Sequence, residues 1–190
     1  MPETHFCLIP NNPVEKMFWG RANIDAATAQ FYFTKQSLMQ HLLHQLKYMG
    51  NREIGYQLGK IMGGQLIESR RFECDALIPL PLFPAKQKKR GYNQASVICE
   101  GMSAAMDLQV WEGVIQRPQF TSTQTKKGRI ERWKNVEGKF EVTNQSKIEG
   151  KHLLLVDDVV TTGATLEHCA SELLKIPGVT VSLAALCIAR

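Results

Sequence analysis

Long apolar runs alternate along the chain with stretches in which apolar residues recur every three or four positions. Such runs are typical of strands buried on both faces, and the three-to-four spacing is typical of amphipathic helices. The predicted strands are residues 26–33, 75–80, 110–115, 139–142, 152–156 and 179–189, and the predicted helices are residues 38–49, 52–67, 96–106 and 164–175. The alternation indicates an α/β fold with a parallel sheet flanked by helices, in which ligands bind beyond the carboxyl ends of the strands.

Residues 1–36 differ in character from residues 37–190. The first segment contains several turn-forming prolines and asparagines, although its last third resembles a strand. Ser37 is placed to cap the first long helix, and Gly50 is placed to end it. Because 190 residues are too few for two large domains, we expect an irregular N-terminal segment followed by one α/β domain.

The stretch KHLLLVDDVVTTGAT, residues 151–165, combines a buried strand with a polar turn. Asp157 and Asp158 follow the apolar run at once, at the point where we expect the strand to leave the core. The turn after them contains Thr161, Thr162, Gly163, Ala164 and Thr165. A helix start that follows such a turn offers backbone N–H groups to a phosphate, and paired carboxylates accept hydrogen bonds from sugar hydroxyls. The stretch predicts a ribose 5-phosphate site; the alternative is an ordinary strand–turn–helix with a capping threonine.

Positive charge is concentrated in two segments, although the net charge of the whole chain is only +5. Residues 86–90 contain four basic residues and no acid, and residues 117–134 contain six basic residues and one acid. A field of this kind attracts a polyanion, either a metabolite that carries pyrophosphate or a nucleic acid backbone. For each lysine of residues 86–90, a solvated basic stretch is the alternative.

The cysteines and histidines do not form a complete zinc site in this chain. The five cysteines are scattered, odd in number and without a CxxC pair, which predicts reduced, mostly buried thiols. The pair His41 and His44 and the pair His5 and Cys7 each lack further ligands nearby. No membrane-spanning run and no signal peptide is visible, so we expect a cytoplasmic protein.

Three blocks of the sequence, taken together, resemble one protein family. LLLVDDVVTTGAT resembles the phosphoribosyl pyrophosphate motif of type I phosphoribosyltransferases. IPLPLFPAKQKKRGYNQA and FTSTQTKKGRIERWKNVEGKF resemble two blocks of the ComF-like branch of that family, and they occur in the family's order. The resemblance covers nearly the whole chain. It implies a Rossmann-like type I phosphoribosyltransferase core over residues 37–190 and a small N-terminal hood over residues 1–36.

By this resemblance the chain binds phosphoribosyl pyrophosphate, or a nucleotide 5-phosphate, together with Mg²⁺. Asp157 and Asp158 are the candidate catalytic residues, and they are also the candidate protein ligands of a Mg²⁺ ion held mainly through the substrate. The phosphoribose site is expected at Asp157, Asp158, Thr161, Thr162, Gly163, Ala164 and Thr165, in agreement with the chemistry of the residues. The pyrophosphate site is expected in a loop at Pro81, Leu82, Lys89, Arg90 and Gly91, and a mobile loop that closes over both is expected to contribute Thr123, Gln124, Arg129 and Arg132.

Two hypotheses about function follow. The first is a transferase that moves phosphoribose to an acceptor and releases pyrophosphate; no residue identifies the acceptor. The second is a non-catalytic adaptor of DNA uptake that binds single-stranded DNA or proteins of the competence machinery, with Phe83, Tyr92 or Trp133 stacking on bases. The oligomeric state is open, with a homodimer as one option. ComF-like proteins commonly carry an N-terminal four-cysteine zinc module, and this chain begins just after its expected place.

Overall fold

A computed structural model describes residues 1–117 and 140–189 of the chain. The seven strands within these residues are β1 (Ala27–Phe33), β2 (Ala76–Pro79), β3 (Gln109–Val110), β4 (Ile115–Gln116), β5 (Glu141–Val142), β6 (His152–Val160) and β7 (Thr180–Ala189). The α-helices are α1 (Pro13–Lys16), α2 (Leu38–Tyr48), α3 (Arg52–Ser69), α4 (Pro84–Arg90), α5 (Gln94–Met106), α6 (Gln145–Ile148) and α7 (Ala164–Leu173). A 3₁₀ turn, Phe6–Leu8, precedes α1.

The central sheet has five strands in the order β1-β7-β6-β2-β3, and every pairing in it is parallel. The predicted parallel α/β architecture is therefore confirmed. β4 and β5 form a separate antiparallel pair, as expected for a chain that returns on itself. The strand predicted at residues 110–115 is wrong in its extent, because a turn with Gly113 in the left-handed region (φ 73°) separates β3 from β4.

Both faces of the sheet are covered, which explains the continuous apolar runs. Along β6, Leu153 and Leu155 join one hydrophobic cluster, while Leu154 and Val156 join the other. Helix α7 packs on the first face, and α2, α3 and α5 pack on the second. Since successive side chains of a strand point to opposite faces, both sets must be apolar.

Helices α3 and α5 approach each other closely because glycines line their contact. A Cβ atom added at Gly101 would overlap the carbonyl oxygen of Tyr56, and one added at Gly59 would overlap the carbonyl oxygen of Ile98. The contact therefore depends on residues without side chains.

Strand β1 belongs to the central sheet although it lies within residues 1–36, the range expected to form a hood. It pairs with β7 from Ala27 opposite Leu183 to Phe33 opposite Ala189. Ser37 caps α2 as predicted: its hydroxyl oxygen accepts a hydrogen bond from the Gln40 N–H at 3.2 Å. The division of the chain at residue 36 stays a prediction. Among the described residues, no helix is both long enough and apolar enough to cross a membrane.

Candidate functional site

A cavity of about 220 Å³ lies at the carboxyl ends of β2 and β6. This is the edge of a parallel sheet at which ligands usually bind. Its walls come from the end of α2, the β2–α4 connection, α4, the start of α5, the end of β6 and the start of α7. The lining residues are Lys47, Leu80, Pro81, Leu82, Lys86, Arg90, Asn93, Gln94, Ala95, Arg117, Asp157, Asp158 and Thr165. The two segments predicted to hold phosphoribose and pyrophosphate thus meet in one cavity.

The acid pair lies inside β6 and not beyond its end. The strand continues to Val160, because β7 still pairs with it there, with Asp157 opposite Ala185 and Val160 opposite Ile188. The expectation that the strand stops before Asp157 is therefore wrong. Being adjacent in a strand, Asp157 and Asp158 direct their carboxylates differently, so the pair presents two separate groups of acceptors.

Asp157 is partly buried, and its carboxylate Oδ1 accepts a hydrogen bond from the Asp158 N–H at 2.8 Å. Burial, and to a smaller extent the negative charge of Asp158, raises the pKa of Asp157 to about 7. The Asp158 N–H, Lys47 and Arg117 act in the opposite direction. The fold therefore holds a carboxylate at a cost, as is common at functional sites.

Lys47 is a component of the site that the motifs did not identify. Its Nζ atom lies 2.9 Å from Oδ2 of Asp158, and both side chains are largely buried, with 22% and 14% of their surface exposed. Lys47 belongs to the last turn of α2, where a basic residue is favourable for the helix dipole alone. Nothing local in the sequence indicates its partner, because α2 and β6 meet only in the folded chain.

The turn between β6 and α7 has the backbone that its glycine predicts. Gly163 is the N-cap of α7 with φ 76°, in the left-handed region that favours glycine. A Cβ atom there would also lie 3.0 Å from Cζ of Phe18. Arg21 supports the turn from outside: it donates to the Thr162 carbonyl oxygen at 3.0 Å and forms an ion pair with Glu167. The N-terminal segment thus holds the turn in place, a contact that the motifs did not predict.

The hydroxyl groups of this turn differ in their positions. Thr161, Thr162 and Thr165 are exposed, and Thr165 is the one of the three that lines the cavity. Thr162 accepts a long hydrogen bond, 3.4 Å, from the Ala164 N–H. The backbone N–H groups at the start of α7 can bind an anion, as a ribose 5-phosphate requires.

The basic segment after β2 is helical, so the prediction that it is a loop is wrong for residues 84–90. Pro84 occupies the first turn of α4, where its missing N–H costs nothing, and the alanine, lysine and glutamine residues after it favour helix. Gly91 ends the helix in the left-handed region, with φ 81°. Three basic residues in the last turn suit the negative end of the helix dipole.

Arg90 connects α4 to its neighbours on two sides. It donates to Oε1 of Gln94 at 2.7 Å, and its guanidinium lies 5.4 Å from the ring centre of Tyr48. Asn93 fixes the preceding connection: its Nδ2 donates to the Leu80 carbonyl oxygen at 2.9 Å, and its Oδ1 accepts from the Ala95 N–H at the start of α5. These two contacts hold the β2–α4 connection at the cavity.

The structure brings only some of the predicted pyrophosphate residues to the acid pair. Pro81, Leu82 and Arg90 line the same cavity as Asp157 and Asp158. Lys89 lines an adjacent cavity, and Gly91 is the C-cap of α4. The four candidates of the mobile loop, Thr123, Gln124, Arg129 and Arg132, lie outside the described residues, as does Trp133.

The cavity suits a Mg²⁺–phosphate ligand by the chemistry of its groups. Mg²⁺ prefers carboxylate oxygens and substrate phosphates to a cage made of protein ligands alone. Asp157 and Asp158 supply such oxygens, and Arg90 lines the same cavity. Among residues 1–117 and 140–189, no three histidine, cysteine, aspartate or glutamate side chains cluster closely enough to hold a metal ion by themselves. All five cysteines are free, and four of them are buried, as the sequence predicted.

Comparison with known proteins shows which proteins this chain resembles in sequence. The protein family described as the phosphoribosyl transferase domain matches residues 100–190 of this chain. The chain is 31% identical over 150 residues to the DNA utilization protein YhgH of Escherichia coli O157:H7, a match that covers 77% of this chain and 65% of that protein. It is 29% identical over 143 residues to the competence protein ComFC of Bacillus subtilis, covering 75% of this chain and 56% of that protein.

The sequence relatives and the fold define the class of this protein. The chain belongs to the ComF-like family of type I phosphoribosyltransferase-fold proteins. It spans about two thirds or less of the length of the relatives it matches. The B. subtilis glutamine phosphoribosylpyrophosphate amidotransferase, complexed with ADP and GMP, is a structural neighbour with a TM-score of 0.47 and 17% identity, covering 74% of this chain and 30% of that one.

Proposed function

We propose that this protein binds phosphoribosyl pyrophosphate with Mg²⁺ and transfers phosphoribose to an acceptor, with release of pyrophosphate. The observation that supports this most directly is the composition of one cavity, which is lined by the Asp157–Asp158 pair and Thr165 together with Arg90, Pro81 and Leu82. A sugar phosphate and a pyrophosphate joined at one carbon need these two kinds of surface side by side. The chemical identity of the acceptor is left open.

The side chains have separate tasks in this proposal. Asp157 and Asp158 accept hydrogen bonds from the ribose hydroxyls, and the N-terminal end of α7 with Thr165 holds the 5-phosphate. Arg90 and Lys86 bind pyrophosphate oxygens, so that the negative charge of the leaving group is stabilised as it forms. When bound, Mg²⁺ would neutralise pyrophosphate charge, with the acid pair as its protein ligands.

The reaction breaks the bond between the sugar C1 and a pyrophosphate oxygen and forms a bond from C1 to the nucleophile of the acceptor. The pyrophosphate leaves with the electron pair of the broken bond. In this site the protein contributes positioning and electrostatic stabilisation, and the proposed reaction uses no covalent nucleophile of the protein. A cytoplasmic location is part of the proposal, supported by the five free cysteines.

Calorimetric titration with Mg²⁺–phosphoribosyl pyrophosphate tests the donor site. We expect binding by the wild-type protein and at least tenfold weaker binding, about 1.4 kcal/mol, for Asp157→Asn and Asp158→Asn. Asp107→Asn is the matched control: Asp107 is exposed, does not line the cavity, and lies at a left-handed position that asparagine tolerates. Absence of binding to the wild type refutes the donor, and equal binding to all four proteins refutes the role of the acid pair. Release of pyrophosphate with a panel of bases and amines then tests turnover.

A second candidate function is binding of single-stranded DNA in competence, which the exposed lysines of α4 and the names of the relatives favour. Tyr92, one of the residues considered for stacking on bases, is half-buried: its hydroxyl donates to the Leu46 carbonyl oxygen, and the Arg52 guanidinium lies 5.5 Å from its ring centre. A titration of labelled strand over a salt series separates the two functions. Competition by Mg²⁺–phosphoribosyl pyrophosphate indicates one shared site, whereas steep salt dependence without competition supports the adaptor.

A further inference from the structure

A second cavity of about 310 Å³ lies beside the first, between the end of α2 and helix α4. Its lining consists of Lys47, Tyr48, Gly50, Lys86, Lys89 and Arg90. Four of these residues are cationic, one is aromatic, and among the described residues that line it none is acidic. A cavity with this composition attracts an anion that also carries a planar group.

The two cavities share a wall and are nevertheless distinct. Lys47, Lys86 and Arg90 line both of them, whereas the acid pair lines only the first. Two of the shared cations are held in place, Lys47 by Asp158 at 2.9 Å and Arg90 by Gln94 at 2.7 Å. Because side chains with fixed partners form this wall, a ligand in one cavity does not have to enter the other.

Tyr48 supplies the aromatic surface of the second cavity. It is 62% exposed, which is high for a large aromatic side chain. Two contacts nevertheless define its ring position: the guanidinium of Arg90 lies 5.4 Å from its centre, and the ring of His44 lies 5.0 Å from it. An exposed, oriented ring beside cations is the arrangement that binds a nucleobase next to its phosphate.

We propose that the cavity between α2 and α4 binds a nucleotide, with its base on Tyr48 and its phosphate at Lys89, separately from the donor cavity. The nucleotide can be a free mononucleotide or one unit of a single strand, since both present the same base and phosphate. This site does not depend on the proposed transferase function.

Neighbouring lysines of α4 provide a matched test. Lys88 and Lys89 are adjacent, exposed and equally charged, but only Lys89 lines the cavity. Binding of thymidine 5′-monophosphate and of a ten-nucleotide thymidylate strand is measured by calorimetry, with and without saturating Mg²⁺–phosphoribosyl pyrophosphate. Circular dichroism confirms that each variant is folded.

We expect Lys89→Ala and Tyr48→Ala to lower the affinity for the better-bound probe by about fivefold or more. Tyr48→Phe should retain binding, because the stacking surface remains. Lys88→Ala should stay within about twofold of the wild type. If the strand is the ligand, Lys89→Ala should also lower the slope of log affinity against log salt by about 0.7, the value for one phosphate contact on a single strand. The better-bound probe identifies the source of the nucleotide.

Three results would overturn the proposal. The first is that neither probe binds, and the second is that Lys88→Ala and Lys89→Ala weaken binding equally. The third is that Mg²⁺–phosphoribosyl pyrophosphate competes with the probe and that Lys89→Ala weakens the binding of both ligands. In that case the cavity would be part of the donor site. Direct titration of the donor into the wild-type protein reports on the proposed function independently of all three.

Discussion

Replacement of Asp157 by asparagine should make the protein more stable and less able to bind its ligand. The substitution keeps the shape of the side chain and an oxygen acceptor for the Asp158 N–H, but it removes ionisation. In the native state, burial and the charge of Asp158 raise the pKa of Asp157 from 3.8 to about 7. Between these two values the folded protein retains a proton that the unfolded chain releases, so its stability falls as the pH rises through this window.

The size of the effect follows from the two pKa values. Each pH unit in the window costs about 1.4 kcal/mol, so ionised Asp157 lowers the free energy of unfolding by at most about 4 kcal/mol at pH 8. Asparagine avoids this cost, and because the carboxylate is only partly buried we expect Asp157→Asn to gain about 2–4 kcal/mol at pH 8. At pH 5 the wild-type group remains mostly protonated, so the gain there should be only about 1–1.5 kcal/mol.

Urea unfolding at pH 5 and pH 8, at equal ionic strength, measures this difference. Asp107→Asn serves as the control, and we expect it to change the free energy of unfolding by less than about 0.5 kcal/mol at both pH values. A gain for Asp157→Asn that is the same at pH 5 and pH 8, or no gain at all, would refute the explanation by burial and charge. If the gain occurs while Mg²⁺–phosphoribosyl pyrophosphate binding is lost, the protein maintains an unfavourable carboxylate for ligand binding.

Three further substitutions test how the site is held, each by thermal or urea unfolding with a matched control. Gly163→Ala should lower the free energy of unfolding by about 2–3 kcal/mol, because it adds a clash to the strain of a left-handed backbone. Gly113→Ala, which has the same strain but open space around it, should lower it by only about 1–2 kcal/mol. Equal losses for the two variants would exclude the clash. Gly101→Ala should lower the free energy of unfolding by at least about 2 kcal/mol, because it separates α3 and α5. Gly64→Ala, on the open face of α3, should raise it by up to about 1 kcal/mol. Unchanged stability of Gly101→Ala would contradict the close contact. Asn93→Ala should lower the free energy of unfolding by about 1–3 kcal/mol and weaken donor binding. Asn93→Asp should recover the part of this stability that comes from the helix cap. Equal stability of these two variants would show that the cap contributes nothing.

Local interactions account for most of what the sequence predicted correctly. Ser37 caps α2 through a residue three positions away, and Gly163 takes its left-handed conformation within a turn of a few residues. The apolar runs of β6 and β7 indicate burial on both faces whichever helices cover them. The hydrophobic pattern does not predict helix α4, because none of its residues is buried and it has no apolar face, although its Pro84 start and Gly91 end are ordinary helix boundaries.

The sequence by itself determined the parallel α/β fold, the family and the acid pair with its hydroxyl-and-glycine turn, since the order of apolar patterns and motifs along the chain indicates each of them without any tertiary contact. Only the tertiary structure decided which cations meet those acids. It placed Lys47 of α2 against Asp158, Arg21 against the turn before α7, and Lys89 in a cavity separate from the acid pair. These contacts join segments far apart in the chain, and their geometry depends on how the helices pack on the sheet. Charge and spacing along the sequence do not contain that information.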